Sequence, residues 1–133
     1  MAGYSGTPLA KKLGIVEGST LALLAEPSGV VVGLPPGVTV KRQARGKADV
    51  VVAFFTEVAP LERRITTLAT MVFPDASLWI AWPKRSAGVP TTVNAEEVRR
   101  VALAIGLVDN KVCAIDDTWT GLRLVWRRER RVR

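Results

Sequence analysis

The chain contains no histidine. Histidine is the side chain that most readily moves protons near neutral pH, and it is the commonest metal ligand. Its absence excludes Ser-His-Asp catalysis, other histidine-based acid/base chemistry and histidine-ligated metal sites. We predict no catalytic residues. We also predict no metal site, because the adjacent carboxylates Asp116 and Asp117 have no third ligand beside them.

Cysteine and long apolar segments are also scarce. Cys113 is the only cysteine, which excludes an internal disulfide and a Cys-x-x-Cys metal or redox pair. The most apolar stretch, residues 13–25, is interrupted by Gly14, Glu17 and Gly18, whereas a membrane helix needs about 18 to 20 apolar residues in succession. We expect no membrane contact, no secretory signal and a cytoplasmic protein.

The composition is that of a globular domain with a basic end. Apolar residues make up 48% of the 133 residues and charged residues 23%, a balance unlike that of disordered chains. The net charge is +7, of which +4 comes from five Arg and one Glu after Trp126. We predict a single α/β domain over residues 1–126 and a basic C-terminal tail over residues 127–133.

Hydrophobic spacing predicts alternating strands and helices. Apolar runs indicate strands at residues 20–25, 38–40, 49–55, 78–82, 111–115 and 122–126. Helices are expected after Thr7-Pro8, from Pro60 to Pro74, and from an Asn94–Glu97 capping box to Gly106. Residues 30–34 fit either a strand or a short crossover helix. This order predicts a three-layer, Rossmann-like, mostly parallel sheet with a C-terminal antiparallel hairpin.

Five segments carry a family resemblance. They are residues 6–14 (GTPLAKKLG), 82–84 (WPK), 86–90 (SAGVP), 106–116 (GLVDNKVCAID) and 119–123 (WTGLR). Together they resemble the uncharacterised bacterial domain-of-unknown-function family numbered 3052, small proteins of high-GC Gram-positive bacteria. The resemblance covers essentially the whole chain and implies no activity or catalytic residue. The predicted strand order also resembles a truncated class I methyltransferase, which is an analogy of fold alone.

The loop after the first predicted strand lacks the glycine pattern of a nucleotide cofactor site. It contains Glu26-Pro27-Ser28-Gly29 and no G-x-G. Lys41 and Arg42 stand near the end of the second strand, where an acidic side chain would hold a ribose. We therefore predict no cofactor, neither S-adenosylmethionine nor NAD.

Charged and aromatic side chains follow the later strands. Lys84 and Arg85 could clamp a phosphate or carboxylate, whereas Asp116 and Asp117 could pair with them across neighbouring loops. We expect a structural ion pair in preference to an acid/base pair, because no other titratable partner accompanies the carboxylates. Two aromatic residues at strand or loop ends near these charged loops, Trp82 and Trp119, are also candidates for ligand or partner binding. Core packing is the alternative for both.

The basic tail offers a second group of candidates. Its arginines could contact nucleic acid or an acidic partner, although a solvated or docked end is the simpler interpretation. These residues are Arg127, Arg128, Arg130, Arg131 and Arg133.

Three functional hypotheses remain open at this point. The first is a non-enzymatic binding or regulatory module that acts through a protein partner. The second is a small enzyme or binder of an anionic metabolite at the carboxyl ends of the strands, around Lys84, Arg85, Asp116 and Trp119. The third is nucleic-acid binding through the tail. The partner and the oligomeric state are not predicted.

Overall fold

The computed structural model describes residues 8–31 and 33–131. Its helices are α1 (Leu9–Leu13), α2 (Val58–Met71) and α3 (Ala95–Leu103). Its strands are β1 (Thr20–Leu24), β2 (Thr39–Lys41), β3 (Val50–Phe54), β4 (Ser77–Pro83), β5 (Leu107–Ala114) and β6 (Trp119–Trp126). Single 3-10 turns lie at Arg85–Ala87 and Arg128–Arg130.

One six-stranded sheet organises the chain in the order β2-β1-β3-β4-β6-β5. The first four strands of that order are parallel, whereas β6 runs antiparallel to both β4 and β5. The predicted Rossmann-like fold with a C-terminal antiparallel hairpin is confirmed. Both strands of the hairpin begin earlier than predicted, β5 at Leu107 and β6 at Trp119.

The two sheet faces have separate apolar cores because side chains alternate along buried strands. Helices α2 and α3 cover one face, which we call the α2/α3 face, with Leu61, Leu68 and Val98 against Ile80. On the opposite face, the α1 face, Leu13 packs among the side chains of the same strands. Trp79 and Trp82 lie in the α1 and α2/α3 cores respectively, as expected from their spacing.

Local signals explain the helix ends. The Asn94 side chain accepts a hydrogen bond from the Glu97 backbone N–H at 2.9 Å, which confirms the predicted cap of α3. Helix α1 ends at Gly14, whose φ of 82° is left-handed. The expected cap at Thr7 lies outside the described residues.

Residues 30–34 form neither of the two elements considered for them. Residues 30, 31, 33 and 34 belong to no helix or strand, and residue 32 lies outside the described part. Left-handed glycines at Gly29 (φ 68°) and Gly33 (φ 70°) turn the chain on both sides. The Val31 N–H donates to the Glu26 carboxylate instead of a backbone carbonyl, so this connection crosses the α1 face as a loop.

In the described part of the chain, no helix is both long and apolar enough to cross a membrane.

Candidate functional site

The carboxyl ends of the parallel strands meet at one edge of the sheet. Strand β1 pairs with β2 on one side and β3 on the other, so the chain changes direction across the sheet between β1 and β3. Ligands of open α/β sheets bind in the crevice at such a switch point. The loops after β1, β2, β3 and β4 are therefore where a site is expected.

Glu26 occupies this switch point. Ala25 directly after β1 has a φ of 59°, the one left-handed residue other than glycine in the described ranges. After this turn, the Glu26 carboxylate accepts two hydrogen bonds, from the Val31 N–H at 2.8 Å and from the Arg42 guanidinium at 2.6 Å. The Glu26 side chain is 8% exposed, against 63% for Arg42. A nearly buried carboxylate thus orients an exposed guanidinium from the end of β2.

The loop after β2 presents further cations beside Arg42. The Lys41 ammonium group donates to the carbonyls of Arg45 and Lys47 at 3.0 and 2.8 Å and so closes the loop on itself. The loop encloses a surface depression of about 330 Å³, lined by Lys41, Arg42, Gln43 and Arg45. Arg45 forms no ion pair with any residue that the structure describes. All charged side chains that line the depression are positive.

The loops after β3 and β4 are tied together. The Thr56 carbonyl accepts from the Thr92 N–H at 3.0 Å and from the Thr91 hydroxyl at 2.7 Å. The Thr92 hydroxyl in turn accepts from the Val58 N–H at the start of α2. These bonds fix the approach of α2 to the edge.

The loop after β4 also adjoins the β5–β6 turn, as the sequence predicted. The Lys84 N–H donates to the Thr118 carbonyl at 2.7 Å. The predicted ion pair between the charged side chains of these loops is wrong, because within residues 8–31 and 33–131 no ion pair involves Lys84, Arg85, Asp116 or Asp117. Instead, the Asp116 carboxylate accepts from the N–H groups of Thr118 and Trp119 at 2.8 and 2.7 Å. Asp116 therefore closes its own turn and has no need of a cation.

The two candidate tryptophans have different surroundings. Trp82 is 7% exposed and belongs to the core under α2 and α3. Trp119 is half-buried at the sheet edge, where its ring meets Phe54 edge-to-face with centroids 5.2 Å apart. Of these two tryptophans, Trp119 is the one that presents aromatic surface at the edge.

The tail arginines lie at the opposite edge of the sheet. Because β6 is antiparallel to β4, its last residue lies at the amino ends of the parallel strands. The Arg127 N–H donates to the Gly106 carbonyl at 3.0 Å, and the Arg131 guanidinium donates to the Trp126 carbonyl at 2.8 Å. Residues 127–131 are thus docked, Arg128 and Arg130 lie in the final 3-10 turn, and Arg133 lies outside the described residues.

Sequence reasoning missed Glu26, Arg42 and Arg45 as site residues. The sequence presents Arg42 only as a charge unfavourable to a ribose, and Glu26 only as part of a loop without the G-x-G pattern. The available signal was a carboxylate directly after a buried strand, which has to find a partner. Nothing local identifies a partner sixteen residues away.

The fold is that of known enzymes. No protein-family model matches the sequence, and the curated proteins provide no match. Among solved structures, a SAM-dependent methyltransferase from Aquifex aeolicus is 16% identical, with a TM-score of 0.61 over 87% of this chain and 86% of its own. A ribosomal protein L11 methylase from Lactobacillus delbrueckii subsp. bulgaricus (12% identical, TM-score 0.58) is matched over 90% of this chain and 77% of its own. Magnesium protoporphyrin IX methyltransferase from Synechocystis PCC 6803 (10%, 0.57) is matched over 90% and 74%.

These matches correct the first functional hypothesis. The chain carries most of the fold of SAM-dependent methyltransferases, including the antiparallel last strands. A non-enzymatic regulatory module that acts through a macromolecular partner is therefore the wrong interpretation. The alternative, a small enzyme or binder of an anionic metabolite at the strand ends, agrees better with this fold.

The residues at the switch point do not fit S-adenosylmethionine, on which the Aquifex aeolicus methyltransferase depends and which is bound in the Synechocystis enzyme. The position after β2, where a ribose needs a carboxylate acceptor, holds Arg42, a donor already bonded to Glu26. The Val31 N–H is likewise bonded to Glu26 and is not free for a ligand. The residues that line the depression are three cations and Gln43, and none of them is a carboxylate that could accept from a ribose.

Proposed function

We propose that this protein is a small enzyme or binder of an anionic metabolite, with its binding site at the carboxyl ends of β1 and β2. One observation carries the proposal: nearly buried Glu26 holds the guanidinium of exposed Arg42 at the switch point. Charge-assisted hydrogen bonds from arginine to phosphate or carboxylate are short and strong. The metabolite would be bound by Arg42 and Arg45, with Lys41 shaping the loop.

The electrostatics of the depression support an anion over a neutral ligand. Three cations line it, and Glu26 neutralises only one of them. The guanidinium of Arg42 keeps donors that Glu26 does not use, since arginine has five N–H groups. The size of the depression, about 330 Å³, matches the lower end of small-molecule sites.

The proposal also includes a cytoplasmic location and membership of the domain-of-unknown-function family numbered 3052. The family assignment is supported by the resembling segments given above, and the location by the sequence expectations.

Calorimetric titration with pyrophosphate and with citrate tests the site. We expect the wild-type chain to bind at least one probe and the Arg42→Gln/Arg45→Gln double variant to bind it at least tenfold more weakly, since bonds to charged groups contribute about 1.5–3 kcal/mol each. Arg63→Gln/Arg64→Gln on α2 is the matched control and should bind normally. S-adenosylmethionine should give no heat of binding.

Two results would overturn this assignment. One is wild-type protein that binds neither anion. The other is binding that survives the Arg42/Arg45 change but is lost on changing Lys84 and Arg85 to Gln, which would move the site to the loop after β4.

A further inference from the structure

A second group of cations lies on the α1 face, away from the proposed metabolite site. Lys111 of β5 and Arg123 of β6 are direct partners across the antiparallel hairpin, so their side chains project side by side on the same face. Arg123 also pairs with Trp79, whose indole lies in the core of the α1 face. Like charges placed directly opposite each other destabilise a sheet, so this pair has an electrostatic cost.

Helix α1 adds a third cation to this group. The Lys111 ammonium group lies 3.5 Å from the Lys12 carbonyl. Burial raises the pKa of the Cys113 thiol, and the charges of Lys12 and Lys111 partly oppose that rise. Both ammonium groups therefore act on the same point of the face. We call Lys12, Lys111 and Arg123 the hairpin cation group.

No carboxylate neutralises the hairpin cation group among the described residues. None of the four ion pairs there includes any of its three members. The acidic side chain on β5, Asp109, pairs with Arg99 of α3 at 3.0 Å, on the α2/α3 face. Arg123 donates only to the neutral amide of Asn110.

The docked tail continues the row of charge. Arg127 follows β6 four residues after Arg123, a separation of roughly 13 Å along an extended chain. Its bond to Gly106 fixes the tail beside the start of β5. Arg128 and Arg130 lie next in the 3-10 turn and are exposed, with one exposed carboxylate, Glu129, between them. Cations thus extend from the middle of the hairpin to the amino edge of the sheet.

We propose that the hairpin cation group and the docked tail bind the phosphodiester backbone of a nucleic acid, without reading base sequence. A backbone with one negative charge about every 3.4 Å per strand complements an extended row of cations. An acidic protein fits less well, because protein interfaces need an apolar centre. The four exposed large apolar residues of the described part do not form one on this face. Val16 follows α1 and is the only one of the four beside it. Val112 points to the opposite side from Lys111, Leu103 lies on α3, and Val89 lies in the β4–α3 loop.

Fluorescence anisotropy with a labelled 20-base-pair duplex and its single strand tests this surface. Each phosphate contact contributes about 0.9 to the slope of log affinity against log salt. We expect Lys111→Gln/Arg123→Gln to lower the slope for the duplex by about 1.8 and to weaken binding roughly tenfold or more at 50 mM salt. The melting temperature of this protein variant should not fall, since the change removes the repulsion between Lys111 and Arg123.

Two controls keep this proposal separate from the metabolite site. Arg63→Gln/Arg64→Gln, with the same loss of charge from α2, should bind the duplex as the wild type does. Arg42→Gln/Arg45→Gln should lose anion binding but keep duplex binding. Loss of duplex affinity in the hairpin variant alone supports the proposal, whatever the outcome of the metabolite titration.

Three results would overturn the proposal. They are wild-type protein that binds neither nucleic acid at 50 mM salt, equal losses in the hairpin and α2 variants, and equal affinity for poly-glutamate of matched length. The last result would assign the face to acidic protein.

Discussion

The two faces of the sheet are covered very differently. Helices of fourteen and nine residues, α2 and α3, pack on one face. The other is covered by a five-residue helix and by a loop with left-handed glycines. The long helices bury wide apolar stripes, whereas the short cover leaves cations beside the core. Stability is thus expected to reside mainly on the α2/α3 face and the proposed binding of nucleic acid on the α1 face.

Matched truncations of leucine give the largest expected effect. Leu68 of α2 and Leu13 of α1 are both 0% exposed. Leu68→Ala should lower the free energy of unfolding by about 3–5 kcal/mol and Leu13→Ala by about 2–3 kcal/mol, because a short helix can relax into the cavity. Urea unfolding measures both. Equal losses would contradict the difference between the faces.

Trp79→Phe probes how α1 is held. The indole N–H of fully buried Trp79 donates to the Leu13 carbonyl at 3.0 Å. Phenylalanine removes that donor and some volume, so we expect a loss of about 1–3 kcal/mol. Amide hydrogen exchange should rise in residues 9–15 and stay unchanged in α3. Faster exchange in both helices would mean that the faces unfold as one unit.

Asp116→Ala tests the turn that joins β5 to β6. Removal of an acceptor for two N–H groups should cost about 0.5–2 kcal/mol, as for other side-chain caps. Lys84→Met should change stability by less than about 0.5 kcal/mol. The double variant should be additive in thermal unfolding, since the two side chains form no ion pair. A coupling energy above about 0.5 kcal/mol would restore the ion pair expected from the sequence.

The smallest effect concerns Cys113 on the α1 face. Burial raises the thiol pKa above its ordinary value of 9.0, so the folded state holds this proton more tightly than the unfolded chain. The resulting stability is present below pH 9.0 and is lost as the pH rises through the folded-state value. Lys111→Gln removes a charge that lowers this pKa. Alkylation by iodoacetamide at pH 8 should therefore be slower in the variant, and a faster reaction would contradict the placement of Lys111 near the thiol.

The fold was predictable from the sequence because its signals are local. Runs of buried residues in β3 and β4, the Asn94 cap and the break at Gly106 each depend on neighbours within a few positions. The connection at residues 30–34 was not, because its geometry depends on a hydrogen bond from Val31 to Glu26. The β-branched residues of this segment favour a strand, but nothing in the local sequence indicates which carboxylate accepts from the Val31 N–H.

The candidate site was predictable only as a region. The rule for parallel sheets selected the edge at which the parallel strands end, and the structure places the loops at Lys84 and Thr118 side by side there. The choice of charged partners failed, because a carboxylate can be satisfied by backbone groups of its own turn, as Asp116 is. Conversely, Arg42 meets Glu26 only once β1 and β2 lie in register.

The position of β6 has a consequence for how the molecule is made. In the sheet, the last strand of the chain lies between β4 and β5. During synthesis, β5 leaves the ribosome before its partner β6, and β4 keeps one open edge. Both edges stay open until residues 119–126 emerge, and unpaired edges are prone to pair with other chains. Insertion of β6 between β4 and β5 therefore completes the sheet. A message truncated before residue 119 yields a chain in which β4 and β5 both have exposed edges, instead of a slightly smaller domain.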